Sequence, residues 1–194
     1  MILMMTETRV DVFAIAKDVA VELGDGWSAS EGHWSHAQDA YLDGPDGVRL
    51  HMAQNHYTSK THMSISGALG ELHHFKPYDA STGDINVSIK KTPKQVAGDI
   101  TRRLLPVAAP VFAEAQKRKR AHEENEARIA ALAEEIRAAM GQDAKVSERD
   151  HEVTLGGWNG HTRVSVDPRY GSVKFKIETT PELAVLLAKA IGQL

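Results

Sequence analysis

Apolar positions along the chain follow two rhythms, one helical and one alternating. Val12, Ile15, Ala16, Val19 and Leu23 recur at helical spacing and predict a helix over 10–23, closed by Gly24. Trp34, Leu42, Val48, Leu50 and Met52 then alternate with polar residues. They predict a hairpin of strands 33–42 and 48–54 around Asp46-Gly47, a dipeptide suited to tight hairpin turns. The stretch from His62 to Ser66 alternates again and predicts one extra strand inside an insert over 55–84. Ile85, Val87 and Ile89 mark a strand over 85–90, and Thr92-Pro93 opens a helix that runs to Pro106.

A second, longer helical pattern covers 107–140 with Pro110 in its first turn, where proline is tolerated. Its middle, 116–128, has almost no large apolar residue, and Ile129, Leu132, Ile136 and Met140 then restore a face. Glu114 with Arg118, and Glu124 with Arg128, are helix-supporting pairs four residues apart. A helix polar all round at its centre is expected to bridge two packed ends through solvent. Strands at 153–155, 163–167 and 173–178 and a helix over 181–191 complete the chain.

Several of these signals occur twice in one order. Val87-Ser-Ile89-Lys-Lys-Thr92-Pro93 matches Phe175-Lys-Ile177-Glu-Thr-Thr180-Pro181, a strand followed by Thr-Pro and a helix. Leu23-Gly24 matches Met140-Gly141, and the Asp46-Gly47 turn matches Asn159-Gly160. The expected architecture is therefore α+β: two copies of a helix–antiparallel strands–helix unit joined by a long central helix. The first copy is expected over 1–106 with the insert at 55–84, the exposed bridge over 107–128, and the shorter second copy over 129–194.

Composition narrows the function classes. The chain has 194 residues, 42% hydrophobic and 25% charged, which suits a globular protein. It contains no cysteine, so disulfides, thiolate metal sites and a cysteine nucleophile are excluded. Apolar runs fall short of the roughly 20 residues of a membrane span, and the start lacks the charged n-region of a secretory signal, so a cytoplasmic protein without membrane contact is expected. The net charge of −3 hides a gradient: residues 1–91 are acidic, 92–128 basic, and 129–194 close to balance.

Two sets of residues carry candidate chemistry. Seven of the ten histidines lie between positions 33 and 74. Among them His51, His56, His62, His73 and His74 could supply donors to a metal, provided three or four converge. Most histidines in such a run are surface and turn residues. Alternation also places Arg49, Lys90, Arg163, Lys174 and Lys176, with His51, on the polar faces of the sheets. Lys117, Arg118, Lys119 and Arg120 form a basic run at mid-helix. These cations could hold a phosphate backbone, though Asp39 and Glu178 share the sheet faces and aromatic platforms are few. The plainer reading is an ordinary solvated face and a charged helix kept soluble. The chain carries no Gly-x-Ser-x-Gly, no phosphate loop and no dinucleotide fingerprint, and no cofactor is expected.

The phrase from Ala14 to Trp27 and the Thr92-Pro93 helix with its Ala/Glu/Arg-rich extension resemble small uncharacterised proteins of actinobacteria and their phages. The resemblance implies a phage or mobile-element setting and carries no site residues. The expected function is thus a non-enzymatic binding protein acting on a host or partner protein, with homodimerisation compatible with the long helix. Nucleic-acid binding and a His-dependent metal module are the alternatives.

Overall fold

The computed structural model describes residues 10–33, 38–54, 61–140, 144–147, 152–157, 160–166, 172–178 and 180–191. The fold is mixed α+β, with two separate antiparallel sheets and a long central helix. The chain divides into two compact units, residues 1–119 and 120–194.

The first unit opens with α1, Val12–Leu23. The Asp11 carboxylate accepts from the Ala14 N–H, and Gly24 ends the helix with φ of 95°. A meander follows: β1 Ser28–Glu31, β2 Asp39–Asp43, β3 Arg49–Ala53, β4 His62–Gly67 and β5 Asp84–Ser88, in sheet order β1-β2-β3-β4-β5. Asp46, at φ 55°, and Gly47 make the β2–β3 turn, which sets Leu42 opposite Leu50. Leu42, Leu50, Met52, Met63, Ile65 and Val87 form the buried inner face of this sheet. Val12, Ala16 and Val19 of α1 cover that face together with Val96, Ile100, Leu104 and Phe112.

The helical run that supplies this second set is longer than the pattern suggests. α2, Pro93–Asp99, passes through a π-helical turn at Ile100–Leu104 directly into α3, Leu105–Met140. The sequence predicts a stop at Pro106; the structure has one continuous helical run. Proline at position 106 clashes with the carbonyl of residue 102, four back. That carbonyl lies inside the π turn, where the wider ladder gives the ring room. Positions 116–128 of α3 contain no buried residue, and Ile129 and Ala133 are buried beyond them.

The second unit contains the end of α3, then β6 Lys145–Ser147, β7 Glu152–Gly157, β8 Gly160–Val166, β9 Val173–Glu178 and α4 Pro181–Ile191. Its sheet runs β6-β7-β8-β9. Ala133, Ala144, Val153 and Val164 form its small core, flanked by Ile136, Met140, Val146 and Val173.

The predicted strands near 62–66, 85–90, 153–155, 163–167 and 173–178 are present with shifted ends. The predicted strand over 33–42 is shorter: β2 starts at Asp39, and Trp34 lies outside the described residues. Strands β1 and β6 went unpredicted. Both are short and lie at a sheet edge, and Ser28-Ala-Ser-Glu31 has no large apolar residue to reveal alternation.

Candidate functional site

The most organised polar cluster lies on the outer face of the first sheet. The β2–β3 register pairs Tyr41 with His51 and Asp43 with Arg49, so alternation sends Asp39, Tyr41, Asp43, Arg49 and His51 to one side. Tyr41 is the hub. The Arg49 guanidinium stands 4.2 Å from its ring centroid, the His51 ring lies tilted at 5.0 Å, and His33 meets it edge-on at 5.7 Å.

Carboxylates fix both flanking groups. Arg49 Nε lies 3.1 Å from Asp43 Oδ1, and Ser30 Oγ donates to Asp43 Oδ2 at 2.9 Å. His51 Nε2 lies 3.0 Å from Asp39 Oδ2, which also accepts the His33 backbone N–H at 3.1 Å. Asp39 is 1% exposed although it belongs to the outer face. The chain passes over it so closely that a Cβ on Gly32 would lie 2.0 Å from Asp39 Cγ. A carboxylate so enclosed must be hydrogen-bonded to be tolerated, and the imidazole and the His33 amide supply that. On the far side, β4 sets Ser66 opposite His51.

The predicted cations are divided between the two units. Arg49 is in the cluster just described. Lys90 is not on a strand: β5 ends at Ser88, and Lys90 is an exposed turn residue. Arg163 Nε sits 2.5 Å from Glu152 Oε1, and Lys176 Nζ 3.2 Å from Glu178 Oε1, both in the second unit. Lys174 is exposed on β9. In the mid-helix run, Arg118 pairs with Glu114 at 2.9 Å and Lys119 with Glu71 at 3.3 Å, while Lys117 and Arg120 are exposed.

Among the described residues, the candidate histidines are spread along the first unit. His51 faces Asp39. His62 starts β4, four residues along the strand from the residue opposite His51, or about 13 Å at strand rise. His73 and His74 lie in a 3₁₀ turn with ring centroids 6.2 Å apart. His56 lies outside the described residues. Among the described residues, three or more His, Asp or Glu side chains do not converge where they could hold a metal ion.

Asp39, Tyr41, Asp43 and His33 escaped the sequence reading as a group. The signal was available in the hairpin register: a turn centred on Asp46-Gly47 makes Tyr41 and His51 neighbours and Asp39 a diagonal neighbour of His51.

A second buried acid lies on the helical side. Asp99 accepts from the Lys91 ammonium, and Arg102 Nη2 stands 3.5 Å from its other oxygen. The hydrogen bond from Lys91 holds the Asp99 carboxyl below its usual range, against the effect of burial, with the charges of Lys91, Arg103 and Arg102 acting the same way. An open groove nearby is lined by Glu22 of α1 and by Lys94, Gln95, Thr101 and Arg102. None of these residues belongs to the Tyr41 cluster.

Among the described residues, no helix is long and apolar enough to cross a membrane. No protein-family model, no curated protein and no solved structure matches this chain.

Proposed function

We propose that the chain is a non-enzymatic binding protein whose partner is another protein, in a phage or mobile-element setting, and that the partner is engaged on the outer face of the first sheet. The observation that carries this reading is the Tyr41 ring held in contact with both the Arg49 guanidinium and the His51 ring. Tyrosine and arginine are the residue types that dominate protein interfaces, and here both are fixed before any partner arrives. Their carboxylate supports, Asp43 and Asp39, lower the entropy lost on binding. The two units run in the same chain order, and their Thr-Pro helix starts match; we infer that one doubled segment gave rise to both.

Nucleic-acid binding receives less support. Five of the nine candidate cations, Arg49, Arg163, Lys176, Arg118 and Lys119, are paired with an acid of the chain itself. Each such pair lessens the charge offered to phosphates.

The test compares wild type with a Tyr41→Ala, Arg49→Ala double variant, both immobilised and exposed to extract of the source cell. A protein retained by wild type and lost from the folded variant is expected. Identical recoveries from both, or retention of nucleic acid alone, would overturn the reading.

A further inference from the structure

The first sheet has an open edge beside an open flank of α1. Among the described residues β1 pairs with β2 alone, so its other edge carries no strand. Register shows what that edge offers. The Gly32 N–H donates to the Asp39 carbonyl, one step beyond the β1–β2 pairs that run from Ser28↔Asp43 to Glu31↔Ala40. Antiparallel ladders alternate, so Ser28 and Ser30, in step with Gly32, turn their backbone groups towards β2. Ala29 and Glu31 turn theirs, an N–H and a C=O each, away from the sheet. Above this edge runs α1, which packs over β1 and β2 alike and has α2 on its other flank. Lys17, Ala20 and Val21 of α1 face Trp27 and Ala29 across an open groove. Val21 is 80% exposed there.

Edge and groove are complementary to a second copy of themselves. Lys17 precedes Val21 by four residues, on the same helix face, and Asp25 follows it by four, just past the helix end. Both line the groove, both are exposed, and Lys17 Nζ lies 4.5 Å from the Phe13 ring centroid. An antiparallel second α1 centred on Val21 sets Val21 against Val21 and Lys17 of each copy level with Asp25 of the other. The strands fit the same two-fold axis. Ala29 falls opposite Ala29, and the two exchange both of their outward hydrogen bonds. Glu31 falls opposite Trp27, and the two Glu31 carboxylates stay about 13 Å apart along the strands. A single added strand from another protein would meet the edge but leave Lys17, Val21 and Asp25 unmatched; a second copy matches all three.

Spacing agrees. Neighbouring strands lie about 4.8 Å apart, and α1 sits above the interval between β1 and β2. Pairing β1 with β1 therefore places the two α1 axes about 10 Å apart, a distance at which helices pack. The joined edges and helix flanks bury roughly 1,200 Å² in total, the lower end of the range for specific stable interfaces.

We infer that two copies of this chain pair β1 to β1 and α1 to α1 about a two-fold axis, joining their first sheets into one. The pairing does not rest on the Tyr41 face and stands or falls separately from it.

Sedimentation of the full chain is expected to show an equilibrium between the chain mass of 21.2 kDa and twice that mass. Lys17→Glu and Asp25→Lys should each weaken the dimer roughly tenfold or more, because each sets two like-charged pairs across the axis. An equimolar mixture of the two variants should restore it, since every such contact in the mixed dimer joins opposite charges. Ala29→Pro removes an N–H that points away from β2 and should abolish the dimer; the charge variants decide the matter independently of how this variant folds. Because the chain has no cysteine, Val21→Cys reports the axis directly. It should oxidise to a disulfide dimer at concentrations where Tyr78→Cys, at a site 97% exposed, does not. A monomer at every concentration, with the groove left open or filled by a different protein, would overturn the inference. So would a dimer indifferent to both charge variants, or charge variants that stay monomeric when mixed.

Discussion

The Asp39 carboxylate and the His51 imidazole lie 3.0 Å apart on the outer face of a sheet, yet Asp39 is almost wholly removed from water. An outward-facing acid is enclosed because the chain at Gly32–His33 folds over it and donates the His33 amide. The pair thus ties three stretches together: the end of β1, the start of β2 and the middle of β3.

Removing the imidazole should therefore cost stability. His51→Ala takes a hydrogen-bond donor from an enclosed carboxylate and is expected to destabilise the first unit by about 1–3 kcal/mol. Asp39→Ala and the double variant complete a cycle in chemical denaturation. The two single losses should exceed the double loss by at least about 0.5 kcal/mol, the usual floor for residues in contact. Strict additivity would show that the two groups do not support each other.

Gly32 offers an independent check on the same enclosure. A methyl group there would overlap the Asp39 carboxyl, so Gly32→Ala must displace either the carboxylate or the loop. Destabilisation of about 1–3 kcal/mol is expected, the usual scale for overpacking. The loss should shrink in an Asp39→Ala background, where the obstructing group is gone. An equal loss in both backgrounds would place its origin in the Gly32 backbone instead.

Acid sensitivity should reside at Asp99. Its folded-state pKa is lowered from the ordinary value of 3.8, chiefly by the Lys91 hydrogen bond. A lowered folded value means that the unfolded chain takes up the proton first as acid is added. The stabilisation is then complete above the ordinary carboxylate value and is lost as pH falls through it towards the folded value. Wild type is expected to exceed Asp99→Asn in denaturation midpoint at pH 6, with the gap narrowing below about pH 4, near the unfolded carboxylate pKa. A gap of constant size from pH 6 to pH 2.5 would show that the ionised carboxylate is not what stabilises.

What could be read in the sequence, and what could not, follows from the range of each interaction. Local chemistry was legible: Gly24 ends α1, Thr92 caps α2, and alternation found the strands with large apolar residues such as Leu50, Met52 and Val87. β1 was not legible, because its residues are small or polar and its strand character comes from pairing with β2. The passage of the helix through Pro106 was hidden because it depends on a π turn, which no local pattern announces. The Tyr41 cluster needed a register, and the register needed the turn.

The capping box at Thr92 sets the start of the helical run that packs into the core of the first unit. Thr92 Oγ1 accepts the Gln95 N–H at 3.4 Å, and Gln95 Oε1 accepts the Thr92 N–H at 3.0 Å. Pro93 at the first helical position has no N–H to satisfy. Thr92→Ala removes one half of the box and should cost about 1 kcal/mol, and Thr92→Ser, which keeps the hydroxyl, only a few tenths. Because Val96, Ile100 and Leu104 downstream are buried in the core, fraying at the cap exposes packing as well as backbone. Amide exchange at Val96, whose N–H donates to the Thr92 carbonyl at 3.0 Å, should accelerate in Thr92→Ala ahead of exchange in α1. Equal acceleration in both helices would mean that the unit opens only as a whole and that the cap acts on global stability alone.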